Sequence, residues 1–257
     1  MRTPRPLAAA ASLTLLATSL ALAPAALATE RPPNEIVGGG PASEPHPYSA
    51  VFLRPDGRPW CGGVLISPTW ILTAWHCVPK PDAGQFRVRV GSADRTQGGE
   101  VVDVAEWIGH QNNTMAGSDI AAVRLAQPVN AQPLALTPAS PAPGSRIRVI
   151  GWGKDCADTN CDMVPGLKEL DTTALPADRC TADEFVTGRE ICMDNPAGQG
   201  ACKGDSGSGV LIGQPGDWRL AGLVSRGPLP PVGCGGRPAV ATDVVAFREW
   251  VRERTGV

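Results

Sequence analysis

Hydrophobic and polar positions fall along this chain in short runs, each bounded by glycine, proline or charged residues. The clearest are YSAVFLR (48–54), GGVLIS (62–67), FRVRV (86–90), EVVDVAEWI (100–108), IAAVRL (120–125), RIRVIGW (146–152), GVLIG (209–213) and WRLAGLVS (218–225). Runs of this length, rich in β-branched residues and separated by turn signals, predict antiparallel strands of a barrel or sandwich rather than alternating strand–helix units. Only the end of the chain has helical spacing. Val244, Phe247 and Val251 fall on one face after Asp243, a candidate N-cap, which predicts a helix over 243–254. No repeat and no linker divides the chain, whose length suits one large all-β domain or two small ones.

The first residues follow a different pattern. Arg2 and Arg5 precede an apolar run from Leu7 to Leu22, and Ala26-Leu27-Ala28 offers a small-x-small cleavage site. This predicts a signal peptide over 1–28, cut after Ala28, and hence a secreted protein. Pro24 and the small-residue flank argue against a membrane anchor, and no later segment approaches the roughly 18 apolar residues of a span. A short polar segment, TERPPNE (29–35), separates this leader from a domain expected over 36–257.

All eight cysteines lie beyond the leader. An even number in an exported chain favours disulfides. No metal site is expected, because there is no Cys-x-x-Cys and His46, His76 and His110 are far apart. The formal net charge of −2, without a basic block, leaves nucleic acid out of the expected partners.

Three places carry candidate chemistry. Ser206 sits among small residues in CKGDSGSG (202–209), His76 stands beside Cys77 in WILTAWHCV (70–78), and Asp119 heads an apolar run in GSDIAAVRL (117–125). Taken singly, each reads as a turn residue or a structural side chain.

Together, and in this order, they resemble the chymotrypsin-like (trypsin-fold) serine proteases. IVGG at Ile36, LTAWHC around His76, DIAAVRL at Asp119, GWG at Gly151 and GDSGSG around Ser206 match the family's pattern in the family's order. The resemblance spans essentially the whole chain from Ile36, and it implies an all-β fold. Two packed six-stranded antiparallel β-barrels are expected, with a C-terminal α-helix and the site between the barrels. His76 would act as general base and acid, Asp119 would orient it, and Ser206 would be the nucleophile of a secreted endopeptidase acting on polypeptides. The N–H groups of Gly204 and Ser206 would form the oxyanion hole, and Ser225 would support the buried aspartate. The resemblance pairs Cys61 with Cys77, Cys180 with Cys192 and Cys202 with Cys234. Cys156 and Cys161 remain, close enough to close a small local loop.

It also implies a zymogen. Cleavage before Ile36 would free an ammonium group to pair with Asp205. Glu35 departs from the Arg or Lys of many relatives at this junction, so an activating protease cutting after Glu35, or trimming by another route, is expected. In the substrate pocket, Gly200 stands where trypsin-like relatives carry an aspartate. Ala201, Ser225, Gly227 and Ala239 line the rest, which predicts cleavage after apolar side chains as in chymotrypsin or elastase. Three departures bear on this: Arg226 replaces an aromatic residue, Lys203 sits at the rim, and Ala241 replaces a bulky aromatic. The insertion PLPPVG (228–233) reshapes the loop before Cys234. Arg226 and Lys203 read either as solvated surface charges, the favoured version, or as groups drawing acidic residues flanking the cut bond.

No cofactor is expected. Asp94, Glu100 and Asp103 lack the ligand spacing of a calcium loop. Asn112-Asn113-Thr114 matches a glycosylation acceptor, although the Ala/Pro/Gly-rich composition and short pro-segment look more like a secreted bacterial relative. A monomer is expected, with proteinaceous inhibitors as further partners. The alternatives are a highly selective processing protease and a non-catalytic binding module on the same fold.

Overall fold

The computed structural model describes Met1 and residues 36–257, apart from 82, 113, 157–159, 181–183 and 228–232. The leader, the 29–35 segment, Asn113 of the acceptor motif and most of the PLPPVG insertion lie outside the described residues.

A two-residue strand, β1 (Gly40–Pro41), precedes the first barrel. That barrel comprises β2 (Ser49–Leu53), β3 (Pro59–Ser67), β4 (Trp70–Thr73), β5 (Arg87–Val90), β6 (Glu100–Gly109) and β7 (Ala121–Leu125), closed in the order β2-β3-β4-β7-β6-β5. The second comprises β8 (Arg146–Gly151), β9 (Lys168–Leu175), β10 (Glu190–Met193), β11 (Gly209–Gln214), β12 (Asp217–Arg226) and β13 (Ala239–Asp243). It runs β9-β10-β13-β12-β11-β8 and closes through β8 against β9, with β1 added at Gly40↔Glu169. All the pairings between these strands are antiparallel, and the architecture is the pair of six-stranded barrels expected.

Closure removes free sheet edges and turns one face of every strand inward. Phe52, Leu65, Ile71 and Val88 share the first barrel's apolar face, while Ile147, Val149, Ile191, Met193 and Val210 fill the second. The four disulfides pair as expected: Cys61–Cys77, Cys156–Cys161, Cys180–Cys192 and Cys202–Cys234.

The terminal helix starts later than its apolar spacing suggests. Asp243 belongs to β13, where it pairs with Gly222, and its Oδ1 accepts the N–H of Val245 at 2.9 Å in a tight turn. The next N–H groups close i to i+3 turns, and the helix α1 runs from Arg248 to Thr255. Strand pairing thus claims the residue that would have capped the helix. Val244, Phe247 and Val251 still pack inward, so the apolar face was read correctly while its first turn was not.

Candidate active site

The two barrels meet at Asp119. This residue precedes β7, has no exposed surface, and is reached from three sides. Its Oδ2 lies 2.8 Å from His76 Nδ1 and accepts the Ser225 hydroxyl at 2.6 Å, while Oδ1 accepts the His76 backbone N–H at 2.9 Å. Thr242 Oγ1 donates to the Asp119 carbonyl at 2.8 Å. His76 comes from a 3-10 turn (Trp75–Cys77) just after β4, and the Cys61–Cys77 disulfide ties that turn to β3. The first barrel therefore supplies His76 and Asp119, and the second supplies Ser225 and Thr242. A carboxylate bonded at Nδ1 selects the tautomer that leaves Nε2 free of its proton.

Ser206 is partly exposed in the turn before β11, and its carbonyl accepts the Gly62 N–H of the first barrel at 2.8 Å. The small residues around it have distinct steric reasons. Gly207 (φ +77°) has no room for a side chain, because a Cβ would lie 2.1 Å from Thr73 Oγ1 and 2.5 Å from the Gly62 carbonyl. Gly204 holds φ +98°, a left-handed conformation suited to glycine. Lys154 N–H donates to the Lys203 carbonyl at 2.9 Å. Because a peptide unit is planar and trans, holding that carbonyl also aims the Gly204 N–H the opposite way. Met163 packs against Gly204, where an added Cβ would come within 2.8 Å of its Sδ. Lys154 and Met163 pair in an isolated bridge flanking the Cys156–Cys161 disulfide, so this disulfide braces the turn before Ser206. Met163 has no signature in the sequence that announces this contact.

Asp205 is fully buried. Its carboxylate accepts the N–H groups of Gly153 (2.8 Å) and Cys202 (2.9 Å). Burial pushes its pKa up to about 7, against the opposing effect of those two hydrogen bonds. The glycines of GWG are explained here, since a Cβ at Gly151 or Gly153 would lie 2.1 or 2.3 Å from the Asp205 oxygens. Ile36 is buried in the second core, and the Val37 carbonyl accepts the Gly200 N–H at 2.8 Å. In this unbroken chain the Ile36 nitrogen is a peptide nitrogen, so the expected ion pair with Asp205 is not formed. Ile36 also has φ +23°, an outlier for a β-branched residue.

In the candidate pocket, Gly200, Ala201, Ala239 and Ala241 are buried, and a Cβ at Gly227 would meet Ala239 Cβ at 3.4 Å. Asn195, which sequence reasoning missed, covers Gly200 so closely that a Cβ there would lie 2.5 Å from its side-chain amide. Its Nδ2 donates to the Arg237 carbonyl at 2.6 Å. Lys203 is exposed. Arg226 is not the solvated charge favoured from the sequence: its guanidinium grips the buried carboxylate of Glu190 at 2.6 and 3.0 Å. Glu190, a lone acid in a four-residue strand, carried no sequence signal.

Two places suggest metals by residue type. Cys61, His76 and Cys77 cluster, but the sulfurs are bonded to each other and the imidazole to Asp119. In the 94–100 loop, Arg89 donates to the carbonyls of Arg95 (3.0 Å), Thr96 (3.3 Å) and Gly98, so a guanidinium sits where those oxygens converge. Asp94 is held by Thr96 and Gln97, and Glu100 by Asn130 and Ala131.

A family model described as Trypsin matches residues 36–251. Trypsin epsilon of Drosophila erecta is 34% identical over 235 residues, covering 86% of this chain and 87% of that protein. Trypsin of Sarcophaga bullata is 31% identical over 222 residues, covering 82% and 84%. Brachyurin of the crustacean Leptuca pugilator is 32% identical, covering 86% and 99%. Among solved structures, mouse-brain neuropsin, a serine protease, superposes with a TM-score of 0.73 at 26% identity, covering 84% of this chain and 98% of that one. These relatives come from insects, a crustacean and a mammal. The bacterial likeness expected from the composition and the short pro-segment is not supported by them.

Proposed function

The chain belongs to the trypsin family of serine endopeptidases, and from that premise we propose that it cuts polypeptides through His76, Asp119 and Ser206 after apolar side chains. One observation carries the reading: the buried Asp119 carboxylate is held by Ser225 and bonded to His76 at both the backbone N–H and Nδ1. That arrangement fixes a histidine whose other nitrogen can take a proton.

In the proposed cycle, Ser206 Oγ attacks the scissile carbonyl carbon while His76 Nε2 takes the hydroxyl proton. The tetrahedral oxyanion is met by the N–H groups of Gly204 and Ser206, and Asp119 stabilises the imidazolium. The C–N bond then breaks as His76 passes its proton to the leaving amine, which leaves an acyl-enzyme. Water repeats the sequence, giving its proton to His76 and releasing the acid. A donor of the oxyanion hole is worth about 100- to 1000-fold in turnover.

The pocket reading is supported by the small residues at Gly200, Ala201, Gly227, Ala239 and Ala241, with no carboxylate among them to neutralise Lys or Arg. Export, cleavage before Ile36 after Glu35, and engagement by protein inhibitors complete the proposal. Among the described residues no helix is long and apolar enough to cross a membrane.

The test is hydrolysis of a peptide library varied at the residue before the cut, using protein beginning at Ile36 beside Ser206→Ala. Cleavage after Leu, Phe, Tyr or Met, lost in the variant, is expected. Cleavage after Arg or Lys would overturn the pocket reading, and a native protein that neither cleaves nor reacts with a fluorophosphonate would overturn the triad.

A further inference from the structure

Arg226 and Glu190 stand side by side in the second barrel, on β12 and β10, and each completes the other. The Arg226 side chain is 12% exposed and that of Glu190 not at all. Beyond the bidentate contact, Arg226 Nη1 donates to the Met115 carbonyl at 2.9 Å and Nη2 to the Glu184 carbonyl at 3.3 Å. The four terminal protons of the guanidinium thus all have acceptors. Glu190 is equally occupied: Oε1 also accepts the Gly117 N–H at 2.7 Å and Oε2 the Val186 N–H at 2.8 Å.

The pair adjoins the candidate site. Arg226 sits between Ser225, which holds Asp119, and Gly227 of the pocket wall. Pairing of β11 with β12 ends at Gly209↔Leu223, so residues 225–227 run on past the Ser206 turn. Side chains preceding the one seated in the pocket would meet this wall.

We propose that Arg226 and Glu190 are a specificity-determining pair that makes this wall neutral, polar and closed. The inference rests on the peptidase reading above. An arginine is the usual partner of a carboxylate, yet here its charge is cancelled and its terminal donors are taken, so acidic substrate residues gain nothing. Apolar residues gain nothing either, because the wall offers carbonyls and a guanidinium edge instead of an aromatic face. Selection then falls on the residue entering the pocket.

The experiment uses fluorophosphonate-titrated enzyme and peptides identical at the cleaved residue, differing at the three positions before it: Leu/Phe, Glu, or Ser/Gln. Ratios of kcat/KM are read, so any general loss of activity cancels. Native enzyme is expected to treat the series within about threefold, and R226W/E190M to gain about tenfold or more for the Leu/Phe series. Glu190→Gln, which keeps the shape and leaves Arg226 uncompensated, is expected to gain for the Glu series alone. Native enzyme already favouring Glu or Leu/Phe tenfold, or ratios unchanged in both variants, would overturn the pair's role. Native enzyme that fails to titrate would instead overturn the peptidase reading itself.

Discussion

Cutting the chain before Ile36 should change the pH dependence of stability through one buried group, Asp205. In the unbroken chain no cation pairs with it among the described residues, and burial lifts its pKa from 3.8 to about 7. An unfolded chain releases this proton near 3.8, whereas the folded chain keeps it until about 7. Between those values the folded state binds more protons, so stability falls as pH rises. The contribution is fully present below about 4, is lost progressively, and is gone above about 7. A displacement of roughly three pH units is worth about 4 kcal/mol.

A free Ile36 ammonium would let the carboxylate ionise in place and remove most of that loss. The cut form should therefore match the unbroken form near pH 4 and exceed it by about 2 to 4 kcal/mol near pH 7.5. The gap should close again as the amino group, ordinarily near 7.7 to 8.0, gives up its proton. The assay is urea unfolding of Ser206→Ala protein in both forms from pH 4 to 9. Asp243, raised by burial, and His46 and His110, lowered by burial, also titrate. They are common to both forms and cancel in the difference. Asp205→Asn should flatten the profile of the unbroken chain. A gap that does not open between pH 4 and 7 would refute the pairing of Ile36 with Asp205.

Three further outcomes follow from local geometry. Removing the Cys156–Cys161 disulfide in C156S/C161S should lower kcat about tenfold with little change in KM, a fraction of a whole oxyanion donor, because Lys154 and Met163 no longer hold the Lys203–Gly204 peptide. Peptide boronates should lose affinity in parallel, and an unchanged kcat would sink the idea. Arg89→Ala should cost about 2 kcal/mol by stripping a charged donor from three carbonyls, seen as a Tm lower by about 5 °C. Native protein should show the same Tm in millimolar calcium and in chelator, and a calcium-induced rise would contradict a guanidinium-filled loop.

How far the sequence could be read depended on whether a residue's reason was local. The strands around Phe52, Val64, Val149 and Val210 showed themselves through β-branched runs. Strands β9, β10 and β13 (KELDTTAL, EICM and AVATD) did not, for they combine charges, threonines and alanines that have strand structure only because neighbours pair on both sides. Likewise Asp243 looked like a helix cap until its pairing with Gly222 made it the end of a strand.

The candidate site divides in the same way. Ser206, His76 and Asp119 were legible because each sits in a short motif whose glycines and cysteines have nearby steric or covalent reasons, such as Gly207 against Thr73. Arg226 was visible as a departure, but its meaning lay with Glu190, 36 residues away, and with Gly117, 73 residues from Glu190. A charge in a cleft draws opposite charge to it only when its own compensation is incomplete. At Arg226 that compensation comes from a strand no local pattern connects to it, and so the arginine whose charge left an acidic preference open in the sequence becomes, once Glu190 is located, the reason to expect none.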